Sequence, residues 1–210
     1  MAARPFVDLE DFARRTQLAR DALDALAQAG ALESFGGSRR DALWNVRGLS
    51  KTHKDPLPLA HDDKKPTLPG LNPLDTILWD YRISSHSARG HPLQHLRQQL
   101  RAQGLPAAID VPALGDGKRI RYAGLVICRQ RPGTASGVVF MTLEDEGGIL
   151  NVIVWPKVYD QFALIARTSS FLGVTGRLQI ESGVIHLVAE ELWHPRVTGP
   201  LPETESRDFH

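Results

Sequence analysis

Apolar and polar positions fall into two regimes along this chain. Over the first fifty residues the apolar ones recur at helical spacing, as in Leu18, Ala22, Ala25, Leu26 and Ala29. Asp8 followed by Asp11 has the form of a helix start, with an oxygen acceptor at the cap and an acid near the positive end of the dipole. Gly30 is a C-terminal stop. Gly36-Gly37-Ser38 makes a turn, and Ser38 with Asp41 is spaced as a capping box for a helix through Leu43, Trp44 and Val46. Residues 1–49 are therefore expected to be a small helical region of helix-hairpin-helix type, whose exposed amides meet a phosphate. The alternative is a plain helical turn packed on another surface.

Residues 50–112 break this rhythm. Pro56, Pro58, Pro66, Pro69 and Pro73 stand among Lys51, Lys54, Lys64, Lys65 and the pair Asp62-Asp63. Proline removes backbone donors and breaks helices, so an extended connector is expected, its lysines either solvated or set against phosphates. A short helix follows around Leu74 to Tyr81. Gly90-His91-Pro92-Leu93 opens another, with Leu93, Leu96 and Leu100 as its buried stripe.

From Lys118 the period becomes alternating. Arg119 to Arg129, Val138 to Glu144 and Ile149 to Trp155 have the pattern of strands, the last two joined across Asp145-Glu146-Gly147-Gly148. Pro156 to Ala166 places Val158, Phe162 and Ile165 on one helical face. Ser170 to Ile180 and Val184 to Leu192 supply two more strands across Glu181-Ser182-Gly183, and Gly124 and Gly176 suit sharp bends in long strands. Three strands, a helix and two strands is the order of the OB fold. The expected fold class is thus α+β: a helical region, a Pro-rich connector, a five-stranded OB barrel over 113–195 with a helix between strands three and four, and a tail over 196–210.

Alternation assigns the faces of the barrel. Val139, Met141 and Leu143 point inward on strand two, as do Leu150, Val152 and Val154 on strand three. Phe140, Thr142, Asn151, Ile153 and Trp155 are left outside. An outward Phe140 beside Asn151 forms either a stacking platform with a hydrogen-bonding neighbour or a packing surface beneath a loop. Trp155, next to Pro156, is either part of that platform or a plug at the barrel end. Arg129 and Arg131 lie in the loop between strands one and two, Arg129 to Gly137, and carry phosphate-gripping chemistry; Arg119, Arg121, Lys157 and Arg177 either extend the track or are solvated charges.

Composition narrows the function further. Net charge is +1, spread as 15 basic against 13 acidic residues over 1–112, 9 against 8 over 113–196, and 1 against 3 in the tail. Any nucleic-acid contact must then come from local placement, since strong non-specific binders carry a basic domain. The single cysteine, Cys128, allows no internal disulfide. With no signal peptide and no run long enough to span a bilayer, a cytoplasmic, membrane-free protein is expected. Candidate chemistry is thin. Glu144-Asp145-Glu146 are consecutive and point in different directions, His91 and His95 have zinc spacing without a third ligand, and Cys128 beside Arg129 lacks a histidine-bearing motif. No cofactor fingerprint is present. The segment is expected to be non-catalytic, without cofactor or metal, and it carries no signal for an oligomeric state.

Arg129-Gln-Arg-Pro-Gly-Thr-Ala-Ser-Gly-Val-Val-Phe-Met-Thr-Leu-Glu-Asp-Glu-Gly-Gly148, followed by Asn151-Val-Ile-Val-Trp-Pro156, resembles the OB segment of bacterial error-prone DNA polymerases of the DnaE-like C family. The Phe6 to Trp44 stretch, Gly90-His91-Pro92-Leu93 and Ser206-Arg207-Asp208-Phe209-His210 are similar to flanking parts of that family, so the resemblance covers nearly the whole chain. It implies a C-terminal module of a longer polymerase in damage-tolerant synthesis, with single-stranded DNA, mutasome proteins and, through them, the sliding clamp as partners. The family's palm aspartates and phosphoesterase-like domain have no counterpart here, and Gln161-Phe162-Ala163-Leu164 is a poor clamp-binding peptide. A more distant likeness to anticodon-binding OB domains implies base stacking at Phe140 and a base contact at Asn151, and leaves RNA open. Two functions follow: holding single-stranded template, or docking the polymerase into a mutagenic complex.

Overall fold

The computed structural model describes residues 5–52, 68–201 and 207–209. Most of the expected Pro-rich connector, including Lys54, Pro56, Pro58, Asp62, Asp63, Lys64, Lys65 and Pro66, lies outside the described residues, as do Ser206 and His210. The chain divides into two compact units, residues 1–72 and 73–210.

The first unit contains α1 (Leu9–Thr16), α2 (Arg20–Gln28) and α3 (Arg39–Thr52). Asp8 caps α1 by accepting from the Asp11 amide. At the end of α2 the Gly30 amide donates to Ala27 and the Ala31 amide to Leu26, with Gly30 at φ +81°. That is the left-handed stop expected there. The Ser38–Asp41 capping box forms with both of its bonds. The stripe along α2 differs from expectation. Leu18 precedes the helix and Ala25 and Ala29 are exposed, while Leu23 and Ala27 are buried against Ala42 and Val46 of α3. A helix with alanines on both faces carries two apolar stripes, and packing on α3 decides between them. Trp44 stays exposed.

The second unit is a closed barrel with helices on its wall. Its strands are β1 (Arg119–Gln130), β2 (Val139–Asp145), β3 (Gly148–Val154), β4 (Phe171–Glu181) and β5 (Val184–Trp193). β1 pairs with both β2 and β4, β2 with β3, β4 with β5, and β5 with β3 in parallel, so no edge remains among the five. The inward sets on β2 and β3 are those that alternation predicts. The β4–β5 turn puts Ser182 and Gly183 at positive φ, the tight hairpin geometry. Gly176 sits at a bulge where a Cβ would collide with the Val188 carbonyl oxygen. The helix expected between β3 and β4 breaks at Phe162 into α6 (Pro156–Gln161) and α7 (Ala163–Thr168). The tail adds a short β6 (Arg207–Phe209), parallel to Cys128–Gln130 of β1.

Residues 73–112, which the sequence pattern groups with the connector, pack on the barrel. α4 (Pro73–Ser84), a 3-10 turn (Pro92–Leu96) and α5 (Arg97–Ala102) bury Ile77, Tyr81, Leu93, Leu96 and Leu100 against Ala123, Leu125 and Phe171. β1 is therefore buried on both faces at its middle. Arg97 fastens α5 to the β2–β3 turn, bonding Asp145 at 2.9 Å and Glu146 through two nitrogens.

Candidate nucleic-acid interface

Strand register assembles the outer face. Cys128 lies opposite Thr142, Thr142 opposite Asn151, and Asn151 opposite His186, a row across β1, β2, β3 and β5. The next row runs Gln130, Phe140, Ile153, Val188, Arg177 and Arg119, crossing β4 and returning to the start of β1. Directly opposed residues point to the same side of a sheet, so these side chains share the barrel's outer wall. At roughly 4.8 Å per strand, Phe140 lies about 14 Å along the wall from Arg177 and about 19 Å from Arg119. The register thus carries the row from Phe140 through Ile153 and Val188 round the wall to Arg177 and Arg119, three and four strands on.

The two rows enclose a hollow of about 220 Å³ lined by Cys128, Gln130, Phe140, Thr142, Asn151 and His186. Phe140 is 38% exposed at its rim, enough to offer a ring face. The Thr142 hydroxyl donates to Asn151 Oδ1 at 3.2 Å, which turns the Asn151 amide nitrogen toward solvent. Trp155 is 53% exposed at the end of β3, where its carbonyl accepts from Val158 and Tyr159 to start α6. A barrel-end plug would be buried, so Trp155 is an extension of the outer face.

The cations divide by what already holds them. Arg119 and Arg177 both bond Glu190, at 2.7 and 3.2 Å. Their hydrogen bonds hold that carboxyl below the usual glutamate range, and two guanidiniums on one carboxylate leave a net positive charge. Arg121 stacks on Trp193, 4.4 Å from the ring centre, on the same strand end. Arg131 lies 5.0 Å from the Tyr159 ring centre and remains exposed, as does Lys157 on α6. Arg129 is placed otherwise than expected. Its side chain donates to the carbonyls of Ala166 and Ser169, closing the C-terminal end of α7. That arginine positions a helix end, where carbonyls collect and a cation is favoured.

Two contributors escaped the sequence reading. His186 enters the hollow through the parallel β3–β5 pairing, which joins residues 35 apart in sequence and leaves no local pattern. Its one signal was alternation after the Glu181-Ser182-Gly183 turn, which puts it outside between inward positions. Arg167 reaches the Tyr159 hydroxyl at 3.0 Å and so shares that ring with Arg131.

Three of the candidate acids and histidines, Asp145, Glu146 and His91, are held by bonds within the fold, while His95 is exposed. Asp145 accepts from Arg97 and from the Ala108 and Gly147 amides. Burial raises its pKa despite those partners. Burial is the largest single influence on Glu146 and opposes its charge, but the Arg97 hydrogen bond, a backbone hydrogen bond and the charges of Arg97 and His91 together hold the carboxyl below its usual range. His91 Nδ1 accepts from the Leu93 amide at 3.1 Å, and burial pushes its pKa down to about 4. Among the described residues no group of three His, Cys, Asp or Glu side chains is placed to hold a metal, and no helix is long and apolar enough to cross a membrane.

The family models agree with the barrel and the helical region. Residues 120–194 match the family model described as OB-fold nucleic acid binding domain, and residues 1–42 that of the helix-hairpin-helix motif. An error-prone DNA polymerase from Bradyrhizobium sp. (strain ORS 278) is 46% identical over 90% of this chain and 17% of its own length. Proteins of the same name are 40% identical in Brucella abortus biovar 1 (strain 9-941), over 98% of this chain and 22% of theirs, and 41% identical in Pseudomonas syringae pv. syringae (strain B728a), over 99% and 20%. The chain spans about a fifth of the length of these curated relatives. Among solved structures, asparaginyl-tRNA synthetase from Pyrococcus horikoshii matches 37% of this chain and 20% of its own at 25% identity and a TM-score of 0.33.

Proposed function

We propose that this chain, homologous over most of its length to error-prone DNA polymerases and carrying an OB-fold nucleic-acid-binding domain, holds single-stranded template DNA for a polymerase active site located elsewhere in a longer protein. The observation that carries this reading is the outer row from Phe140 to Arg177 and Arg119, which sets a stacking ring and a cationic end on one strand-crossing track. Bases stack on the ring while the guanidiniums meet the backbone, the arrangement single strands need and duplex DNA cannot use. Holding a strand requires no chemistry from these residues, and none is assigned to them.

The test is fluorescence anisotropy of a labelled single strand, with duplex DNA and single-stranded RNA of equal length as competitors. Single-strand binding that outcompetes duplex is expected, and Phe140→Ala should weaken it by about 1–3 kcal/mol, the scale of one stacked base. Binding in that variant equal to wild type, with the melting temperature unchanged, would remove Phe140 from the site.

A docking role has its own observation. Ile109 and Ile149 are 71% and 59% exposed, and Ile109 lies against Gly147 of the β2–β3 turn, two residues from Ile149. An apolar pair beside a rigid turn suits a protein partner, such as a component of a mutagenic translesion complex that connects to the sliding clamp. Absence of any oligonucleotide binding at low salt would give this reading the field.

A further inference from the structure

His186 is the feature of the hollow that its fold does not explain. Its Nδ1 is buried without a hydrogen-bond partner, and the residue is only half-buried, with Nε2 left at the surface. An unpaired buried N–H is rarer than an unpaired buried acceptor, so the ring hydrogen sits on Nε2. Asn151 lies directly opposite His186 across the β3–β5 pairing, and its Oδ1 accepts from the Thr142 hydroxyl, which fixes the amide nitrogen on the other side. The polar hydrogens that these two residues hold out are those of the Asn151 amide nitrogen and His186 Nε2. Phe140 stands at the rim of the same hollow.

We infer that the Asn151–His186 pair makes this hollow a base-selective pocket, reading the edge of a nucleobase that presents two neighbouring acceptors while its face lies on Phe140. The inference rests on the single-strand reading of this face and adds selectivity to it. Two neighbouring donors suit the O2 and N3 atoms of cytosine or the O6 and N7 atoms of guanine. Adenine offers N7 beside the N6 amine, so one of the two donors meets another donor. A donor left facing a donor, with neither of them paired, is the arrangement by which polar sites reject a wrong partner. The phosphate-facing arginines supply affinity without selectivity, since phosphates are alike in every nucleotide.

The experiment is anisotropy titration of labelled oligodeoxycytidine and oligodeoxyadenosine of equal length with the full chain. Wild type should prefer the cytidine strand by about five-fold, the worth of one net hydrogen bond. In His186→Phe the ring's packing is kept and the buried unpaired nitrogen removed, so the melting temperature should hold or rise while the preference falls to near unity. Asn151→Asp keeps an oxygen for Thr142 but replaces the donor by an acceptor, and should move the ratio toward adenine. Tight binding of both strands with no preference, or a preference that His186→Phe leaves intact, overturns the inference alone. Failure of both strands to bind overturns the single-strand reading and this inference with it.

Discussion

Arg129 and Arg131 stand two residues apart, yet their neighbours assign them different work. Arg129 closes the C-terminal end of α7 through the Ala166 and Ser169 carbonyls, whereas Arg131 is exposed on the Tyr159 ring. Sequence alone presents both as loop cations, because what separates them is a helix end some forty residues away. The consequence is measurable. Arg129→Ala should lower stability by about 1.5–3 kcal/mol, the range for hydrogen bonds that involve a charged group, while the salt dependence of DNA binding stays the same. Arg131→Ala and Arg177→Ala should leave stability nearly unchanged and each reduce the slope of log affinity against log salt by about 1. Chemical denaturation and anisotropy at several salt concentrations separate the two roles. A reduced slope in Arg129→Ala would show that its side chain leaves α7 to meet the strand.

At the scale of elements, legibility tracks the locality of the signal. β2 and β3 were readable because period-two alternation over Val139 to Val154 fixes both the strands and their faces, and with them Phe140 and Asn151 on the outer wall. The caps of α1 and α3 were readable because a capping bond spans only three residues. The buried face of α2 was not, since alanines surround that helix and only α3 distinguishes them. β6 was invisible because a three-residue strand in a polar tail has no pattern of its own. Nor did the sequence disclose that Arg97 of α5 locks onto the β2–β3 turn, a pairing across nearly fifty residues. Asp145 has no exposed side-chain surface in that lock, so Arg97→Ala should leave a buried carboxylate uncompensated and cost about 3–5 kcal/mol. Urea denaturation of the variant checks this. A loss below about 1 kcal/mol would mean that Asp145 is satisfied by the Ala108 and Gly147 amides alone.

For the molecule as a whole, near-neutral charge makes pH act through particular groups rather than through general repulsion. His91 is the clearest of them. It caps the turn that seats Leu93 and Leu96 against the barrel, packs edge-on to Tyr81, and lies within the field of Glu146 and Arg97. Burial lowers its pKa from 6.5 to about 4, so between those values the unfolded chain binds a proton that the folded one refuses. Stability from this group is complete above pH 6.5 and falls as pH drops toward 4, by at most about 1.4 kcal/mol per pH unit. Asp145 and Glu144, whose pKa values burial raises, bind protons on folding and oppose the trend at the acid end. The histidine's share is therefore the difference between wild type and His91→Asn, in which an amide oxygen takes over the cap without titrating in this range. Denaturation midpoints of the unit spanning residues 73–210 should drop between pH 7 and pH 5 in wild type, and drop less in His91→Asn. Equal drops in both proteins would place the acid sensitivity in the Arg97–Asp145–Glu146 lock instead, where protonating Glu146 undoes the bond that holds α5 on the barrel.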